Sequence, residues 1–240
     1  MDKNKIDRFI SKYHLAGKVN AVKWKADDNK LTATFVTEDK GLLGQVSADK
    51  FEFEDCELGI YATDQLQKLL GVLSDNVKLS LVKFGDKPIS LKVNNENASF
   101  DFVLSDLSVI PEPPTIKKLP SNWETKIKIN NSFMNTFIKG KSALPDSDSF
   151  TIIKSDGGCK VVIGYSNTTT NRVIIDTECE ECDLVDNISF NAEFFKDILS
   201  ANRECTNAFL EISNQGIAKI NFKVDDFDAV YYMVANDDAD

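Results

Sequence analysis

The chain has 240 residues, which at roughly 150 residues per domain admits one large domain or two smaller ones. Hydrophobic residues make up 42% of it and charged residues 28%, with 16 Phe, so a disordered chain is excluded and a packed core is provided for. Lys and Arg number 28 against 38 Asp and Glu, and the resulting net charge of −10 speaks against a nucleic-acid binder unless the basic residues are gathered on one surface.

The first residues lack a basic region followed by an apolar run and a small-residue cleavage site, and no stretch approaches about eighteen uninterrupted apolar residues. A protein neither secreted nor membrane-spanning is therefore expected, with no membrane partner. Five cysteines, at 56, 159, 179, 182 and 205, form no short disulfide framework, which fits a reducing cytoplasm.

In chain order, residues 2–15 read as an amphipathic helix, followed by strands at Val19–Trp24 and Leu31–Val36. Residues Ile60–Leu73 read as a strand end, a cap at Thr63 and a short helix. Alternating strands follow at Val77–Val82, Ile89–Val93 and Phe100–Leu104. Residues 109–122 hold four of the six prolines and read as an extended connector between domains at 1–108 and 123–240.

The second half repeats the first. A helix at Ser132–Ser142 precedes strands at Phe150–Lys154, Lys160–Gly164 and Arg172–Asp176. Residues Ile188–Ala201 then match Ile60–Leu73, with Asn191 as the cap answering Thr63, Phe194 answering Leu66, Lys196 answering Lys68 and Ile198 answering Leu70. Strands at Phe209–Ser213, Ile217–Phe222 and Ala229–Ala235 complete the copy. The predicted fold class is α+β: two similar strand-rich domains, each with two helices.

Catalytic constellations are sparse. The single histidine, His14, lies in the first helix with no partner group in sight for a Ser-His-Asp or Cys-His arrangement. Cys179 and Cys182 form the one CxxC, without the second pair or His cluster that a zinc site needs, and read as cysteines in or beside a loop. Glycines 41, 44, 157 and 158 make neither a Walker loop nor a dinucleotide fingerprint. No metal, cofactor or enzymatic activity is expected.

The helices carry more information. Ile6, Phe9, Ile10 and Tyr13 form a buried stripe on the first, with Lys5, Arg8 and Lys12 on the other face. The second buries Leu66, Leu69, Leu70 and Leu73 and turns Gln65 and Lys68 outward. The third buries Phe133, Met134, Phe137 and Ile138 and exposes Asn135, Lys139 and Ser142; the fourth buries Phe194, Phe195, Ile198 and Leu199 and exposes Lys196, Ser200 and Arg203. One such face alone is an ordinary solvated surface. Four of them side by side would make a basic strip able to meet phosphates without reading bases.

The duplicated unit, the length, the connector opening Val109-Ile110-Pro111-Glu112, the segment Glu57–Ser74 and the C-terminal strand Tyr231–Ala235 together resemble the DNA polymerase sliding clamps, most closely those of T-even-type bacteriophages. The resemblance covers the whole chain. It implies a fold like that of the proliferating cell nuclear antigen and a homotrimeric closed ring around duplex DNA, loaded by a separate ATP-driven clamp loader. Such a ring would act as a processivity factor for a replicative DNA polymerase. It would place Lys5, Arg8, Lys12, Lys68, Lys139, Lys196 and Arg203 at the DNA. Subunits would join through Ser99, Phe100, Phe102 and Leu104 on one side and Arg172, Ile174 and Asp176 on the other. A hydrophobic partner peptide would meet Ile110, Pro111, Tyr232, Val234 and Ala235, with Leu42 and Leu43 as weaker additions. Ala235 stands where the cellular trimeric clamps often have proline. Asp237, Asp238 and Asp240 read as a solvated tail. The alternative from charge alone is an acidic interaction protein such as a DNA mimic.

Overall fold

The computed structural model describes residues 2–74, 76–114, 119–166, 168 and 170–236. The interior of the proline-bearing connector, 115–118, and the acidic tail at 237–240 lie outside the described residues. The chain forms two compact units. Unit 1 comprises Met1–Thr37, Gly44–Pro114 and Asp225–Ala229; unit 2 comprises Glu38–Leu43, Thr115–Val224 and Val230–Asp240.

Unit 1 runs through α1 (Lys3–His14), β1 (Val22–Asp27), β2 (Lys30–Val36), β3 (Leu42–Ala48), β4 (Cys56–Ile60), α2 (Thr63–Leu70), β5 (Lys78–Phe84), β6 (Lys87–Asn94) and β7 (Ser99–Val103). The first two residues of β3 belong to unit 2. Its sheets have the orders β3-β2-β1-β4 and β5-β6-β7. Unit 2 runs through β8 (Thr125–Ile129), α3 (Asn131–Ala143), β9 (Ser149–Ser155), β10 (Gly158–Ile163), β11 (Val173–Asp176), β12 (Cys179–Cys182), β13 (Ile188–Asn191), α4 (Ala192–Ala201), β14 (Ala208–Ser213), β15 (Ile217–Val224) and β16 (Phe227–Val234). The first three residues of β16 belong to unit 1. Here the orders are β11-β10-β9-β13 and β12-β8-β14-β15-β16.

The two orders expose the repeat. Strands β3-β2-β1-β4 correspond to β11-β10-β9-β13, and β5-β6-β7 to β14-β15-β16, with α1 answering α3 and α2 answering α4. Strands β8 and β12 are additions of unit 2. The fold is thus α+β and strand-rich, as the sequence pattern predicts. The sequence reading misses β3 and β12, which lack clean alternation, and also β8, which alternates as Thr125-Lys-Ile-Lys-Ile129.

Each core is built on its helix pair. In unit 1, Phe9 meets Trp24 edge to face with ring centres 5.6 Å apart, and the buried indole N–H of Trp24 donates to the Tyr13 hydroxyl at 3.2 Å. Burial holds the Tyr13 phenol well above its ordinary range. In unit 2, Phe137, Phe150 and Phe195 form a closed triangle with centres 4.7, 4.9 and 5.2 Å apart. Such aromatic pairs add about 0.5–1.5 kcal/mol each beyond simple burial.

The helix caps differ. Asn191 caps α4 through its side chain, which accepts from Phe194 N at 2.9 Å, as the sequence predicts. Thr63 does not cap α2. It is the first helical residue, and its hydroxyl donates to the Asn20 carbonyl at 2.9 Å. Asn20 Oδ1 instead accepts from Asp64 N at 3.0 Å, so a residue far upstream satisfies the orphan donor of this helix.

Candidate nucleic-acid interface

The four helices carry eight Lys and Arg against four Asp and Glu, in a chain whose net charge is −10. Basic residues are therefore concentrated on the helices, but the two units present them differently.

In unit 1 the basic face of α1 is covered. The segment Asp225–Phe227 returns from the far end of the sequence and lies over it. Lys5 Nζ donates to the carbonyls of Asp49 and Lys50 at 2.6 and 3.0 Å and to Asp226 Oδ2 at 3.1 Å, which uses all three ammonium donors. Lys50 also reaches Asp226, at 2.8 Å. Hydrogen bonds from Lys50 and Lys5 hold the Asp226 carboxyl below its ordinary range. Arg8 pairs with Asp225 at 3.0 Å, and its guanidinium sits 4.6 Å from the Phe227 ring centre.

Lys12 is only 1% exposed, with its ammonium 5.5 Å from the same ring centre. The outward Lys12 that helix periodicity predicts is thus corrected: α1 has two covered faces. Lys68 on α2 does face solvent, with its side chain 80% exposed and Asp64 a loose i, i+4 partner at 3.7 Å.

In unit 2, α3 buries the predicted Phe133, Met134, Phe137 and Ile138 and leaves Asn131, Ser132, Asn135, Thr136, Lys139 and Ser142 exposed. No carboxylate pairs with Lys139 among the described residues. The same holds for Arg203, which is exposed just beyond α4. Lys196 is less free. It pairs with Glu193 one helical turn earlier, and Asp197 Oδ1 lies 3.8 Å away.

Lys141, which periodicity does not single out, is buried between α3 and α4. Its ammonium donates to the Pro145 carbonyl at 2.9 Å and meets Glu193 Oε2 at 3.3 Å. Lys196 and then Lys141 depress the Glu193 carboxyl. The exposed, lightly paired cations of the predicted set are accordingly Lys68, Lys139 and Arg203.

Both strands predicted at the subunit boundary are sheet edges. Strand β7 pairs with β6 alone, and β11 with β10 alone, so each leaves one row of backbone groups without a strand partner among the described residues. On β7, Ser99 and Val103 are exposed and Phe100 is half-buried, as is Leu104 just beyond the strand. Phe102 turns into the core opposite Leu91. On β11, Ile174 is 55% exposed and Asp176 is exposed; Arg172 precedes the strand and is also exposed.

The residues predicted for peptide docking divide by burial. Leu42 and Ile110 are buried. Ile110 Cγ1 would stand 3.4 Å from a Cβ added at Gly59. Pro111 and Val234 are exposed, while Leu43, Tyr232 and Ala235 are half-buried.

No protein-family model matches the chain, and no curated protein sequence matches it significantly. Among solved structures its fold is similar to the proliferating cellular nuclear antigen of Entamoeba histolytica, with a TM-score of 0.74 at 16% identity over 98% of this chain and 96% of that one. It is also similar to the PCNA2–PCNA3 complex of Sulfolobus tokodaii, at 0.72 and 12% over 98% and 97%. The PCNA of Thermococcus kodakaraensis gives 0.72 and 15% over 98% and 97%. The duplicated α+β architecture is therefore that of a sliding-clamp fold. Its particular form is similar to the fold of the proliferating cell nuclear antigen over 98% of the chain. No helix among the described residues is long and apolar enough to cross a membrane.

Proposed function

We propose that the chain is a DNA sliding clamp: a processivity factor without enzymatic activity that encircles duplex DNA and tethers a replicative polymerase. In sequence it most resembles the clamps of T-even-type bacteriophages, and it works in the cytoplasm, that of the host cell if it is viral. Three copies, each contributing clamp domains over 1–108 and 123–240 joined by the connector 109–122, associate head to tail, and an ATP-driven loader opens the ring onto DNA.

The observation that carries this reading is a pair of free edges. Strands β7 and β11 each have a strand partner on one side only among the described residues. Pairing β7 of one copy with β11 of the next would satisfy both open edges, and a head-to-tail association closes into a ring when its rotation permits.

The helix charges support the second half of the reading. Lys68, Lys139 and Arg203 can reach phosphates, directly or through water, while Arg8 and Lys196 are held in ion pairs that phosphate would have to displace. Phosphate binding of this kind positions DNA without reading its sequence, which sliding requires. In unit 2, the exposed Val234 with the half-buried Tyr232 and Ala235 are the residues proposed to take up the polymerase's hydrophobic peptide. A DNA mimic would need neither the duplicated unit nor the open edges.

Native mass spectrometry tests the assembly. A species of three copies is expected, and Ile174→Glu should convert it to single chains that remain folded, because Ile174 already faces solvent in one copy. A monomer under all conditions would overturn the proposal.

A further inference from the structure

Unit 2 holds four thiols, and the fold brings three of them, dispersed in the sequence, together. Cys159 opens the inward-facing row of β10 and is buried, as are Val161 and Ile163 after it. Cys179 and Cys182 lie on β12, which belongs to the other sheet of the unit and packs against β10. In a regular strand, residues three apart point to opposite faces. Here Cys179 stands opposite Ile127 and Cys182 opposite Thr125, so three steps along β12 match two along β8. That bulge turns both thiols to the face that carries Ile127 and Thr125. The Thr125 hydroxyl donates to Cys182 Sγ at 3.6 Å.

The turn between β11 and β12 brings the pair onto Cys159. Thr177 donates to the Cys159 carbonyl at 2.6 Å and lies 3.4 Å from its thiol. A Cβ placed on Gly158 would stand 3.4 Å from Cys179 Cβ, so the β10 backbone passes close beside Cys179. Cys159, the next residue on β10, is thus a neighbour of Cys179, and Cys182 lies on the same face of β12. None of the five cysteines is in a disulfide. Burial, above all, pushes the Cys159 thiol far up, so an external reagent meets the half-buried Cys179 first.

We infer that Cys159 and Cys179 form a redox modification site, a dithiol that closes to a disulfide by exchange with a low-molecular-weight disulfide. The Cys179 thiolate attacks one sulfur of the reagent, whose S–S bond breaks and releases one thiolate. Cys159 then loses its proton and attacks Cys179 Sγ in the mixed disulfide, expelling the second thiolate. The two protons given up by the protein are taken by the two leaving thiolates. Two protein thiols are oxidised and one external disulfide is reduced to two thiols. The product staples β10 to β12, and therefore one sheet of unit 2 to the other. In a reducing cytosol such a bond is transient and reports oxidising conditions.

The test uses the full chain, reduced, freed of reductant and titrated with oxidised glutathione. Free thiols should fall from five to three per chain. The mass should fall by about 2 Da without retained glutathione. Peptide mapping should join Cys159 to Cys179, and reductant should restore all the thiols. Cys182→Ala should still close, whereas Cys159→Ala should hold glutathione on Cys179. Persistence of all five thiols, an unclosed glutathione adduct on the unaltered chain, or a bond that maps to Cys182 would each overturn the assignment. The unaltered chain decides the matter even where a variant fails to fold.

Discussion

Helix α1 buries Ile6, Phe9, Ile10 and Tyr13, and helix α3, its counterpart in the repeat, buries Phe133, Met134, Phe137 and Ile138. Their other faces part ways. On α1 the cations Lys5, Arg8 and Lys12 are tied to Asp225, Asp226 and Phe227. On α3 the corresponding face is open and otherwise uncharged, with Lys139 as its exposed cation. Duplication has kept the stripe that makes the core and has not kept the chemistry of the surface. A cation on an amphipathic helix is therefore available to a ligand only where no other segment has claimed it.

The largest effects should come from the shared face. Phe137→Ala removes a ring from the aromatic triangle and should cost about 3–5 kcal/mol in a denaturant titration, and Phe9→Ala should cost a similar amount. Unequal losses would show that the two cores are not equivalent. Next come the outer faces. Lys12→Glu sets a carboxylate in a buried site and should destabilise the chain by about 3–5 kcal/mol. Lys139→Glu should leave stability within about 0.5 kcal/mol of the parent. It should weaken DNA retention, with the slope of log affinity against log salt shallower by about 0.9 for each phosphate left unneutralised. If instead Lys12→Glu folds normally and Lys139→Glu does not, the contrast between the helices is wrong.

Smaller effects probe the cover of α1. Asp226→Asn should lower the melting temperature modestly at neutral pH. Because the Asp226 carboxyl titrates below its ordinary value in the folded chain, this contribution is present above the unfolded pKa of about 3.9 and is lost as the pH falls through the folded value. The gap between Asp226→Asn and the parent should accordingly close in acid.

The smallest effect belongs to His14, buried with its Nε2 unpartnered and its pKa lowered chiefly by burial. The unfolded chain takes up that proton first, near the ordinary 6.5, so stability should decline as the pH drops below that point. His14→Gln should flatten the decline, and thermal melts across that range would show whether it does.

Much of this contrast is written in the sequence, and the missing part has physical causes. The stripes of α3 and α4 and the Asn191 cap are local, depending on residues within a turn or two of one another, and they can be read from spacing. The cover over α1 depends on Asp225–Phe227, more than two hundred positions away, which no helical period reveals. The cap on α2 comes from Asn20, again by tertiary approach.

The cysteines show the same limit. The CxxC is plain in the sequence, but its meeting with Cys159 requires both the bulge in β12 and the packing of one sheet on another. Strands β7 and β11 are legible as strands. That both end as sheet edges among the described residues emerges only from the topology.

The most direct test of the central claim is topological. The chain is loaded onto primed circular DNA by the proposed ATP-driven loader, and retention is followed before and after the circle is cut. A sliding ring should stay on the closed circle and run off the linear product, with Ile174→Glu retained on neither. Equal retention on both templates would contradict an encircling clamp and leave only ordinary electrostatic binding.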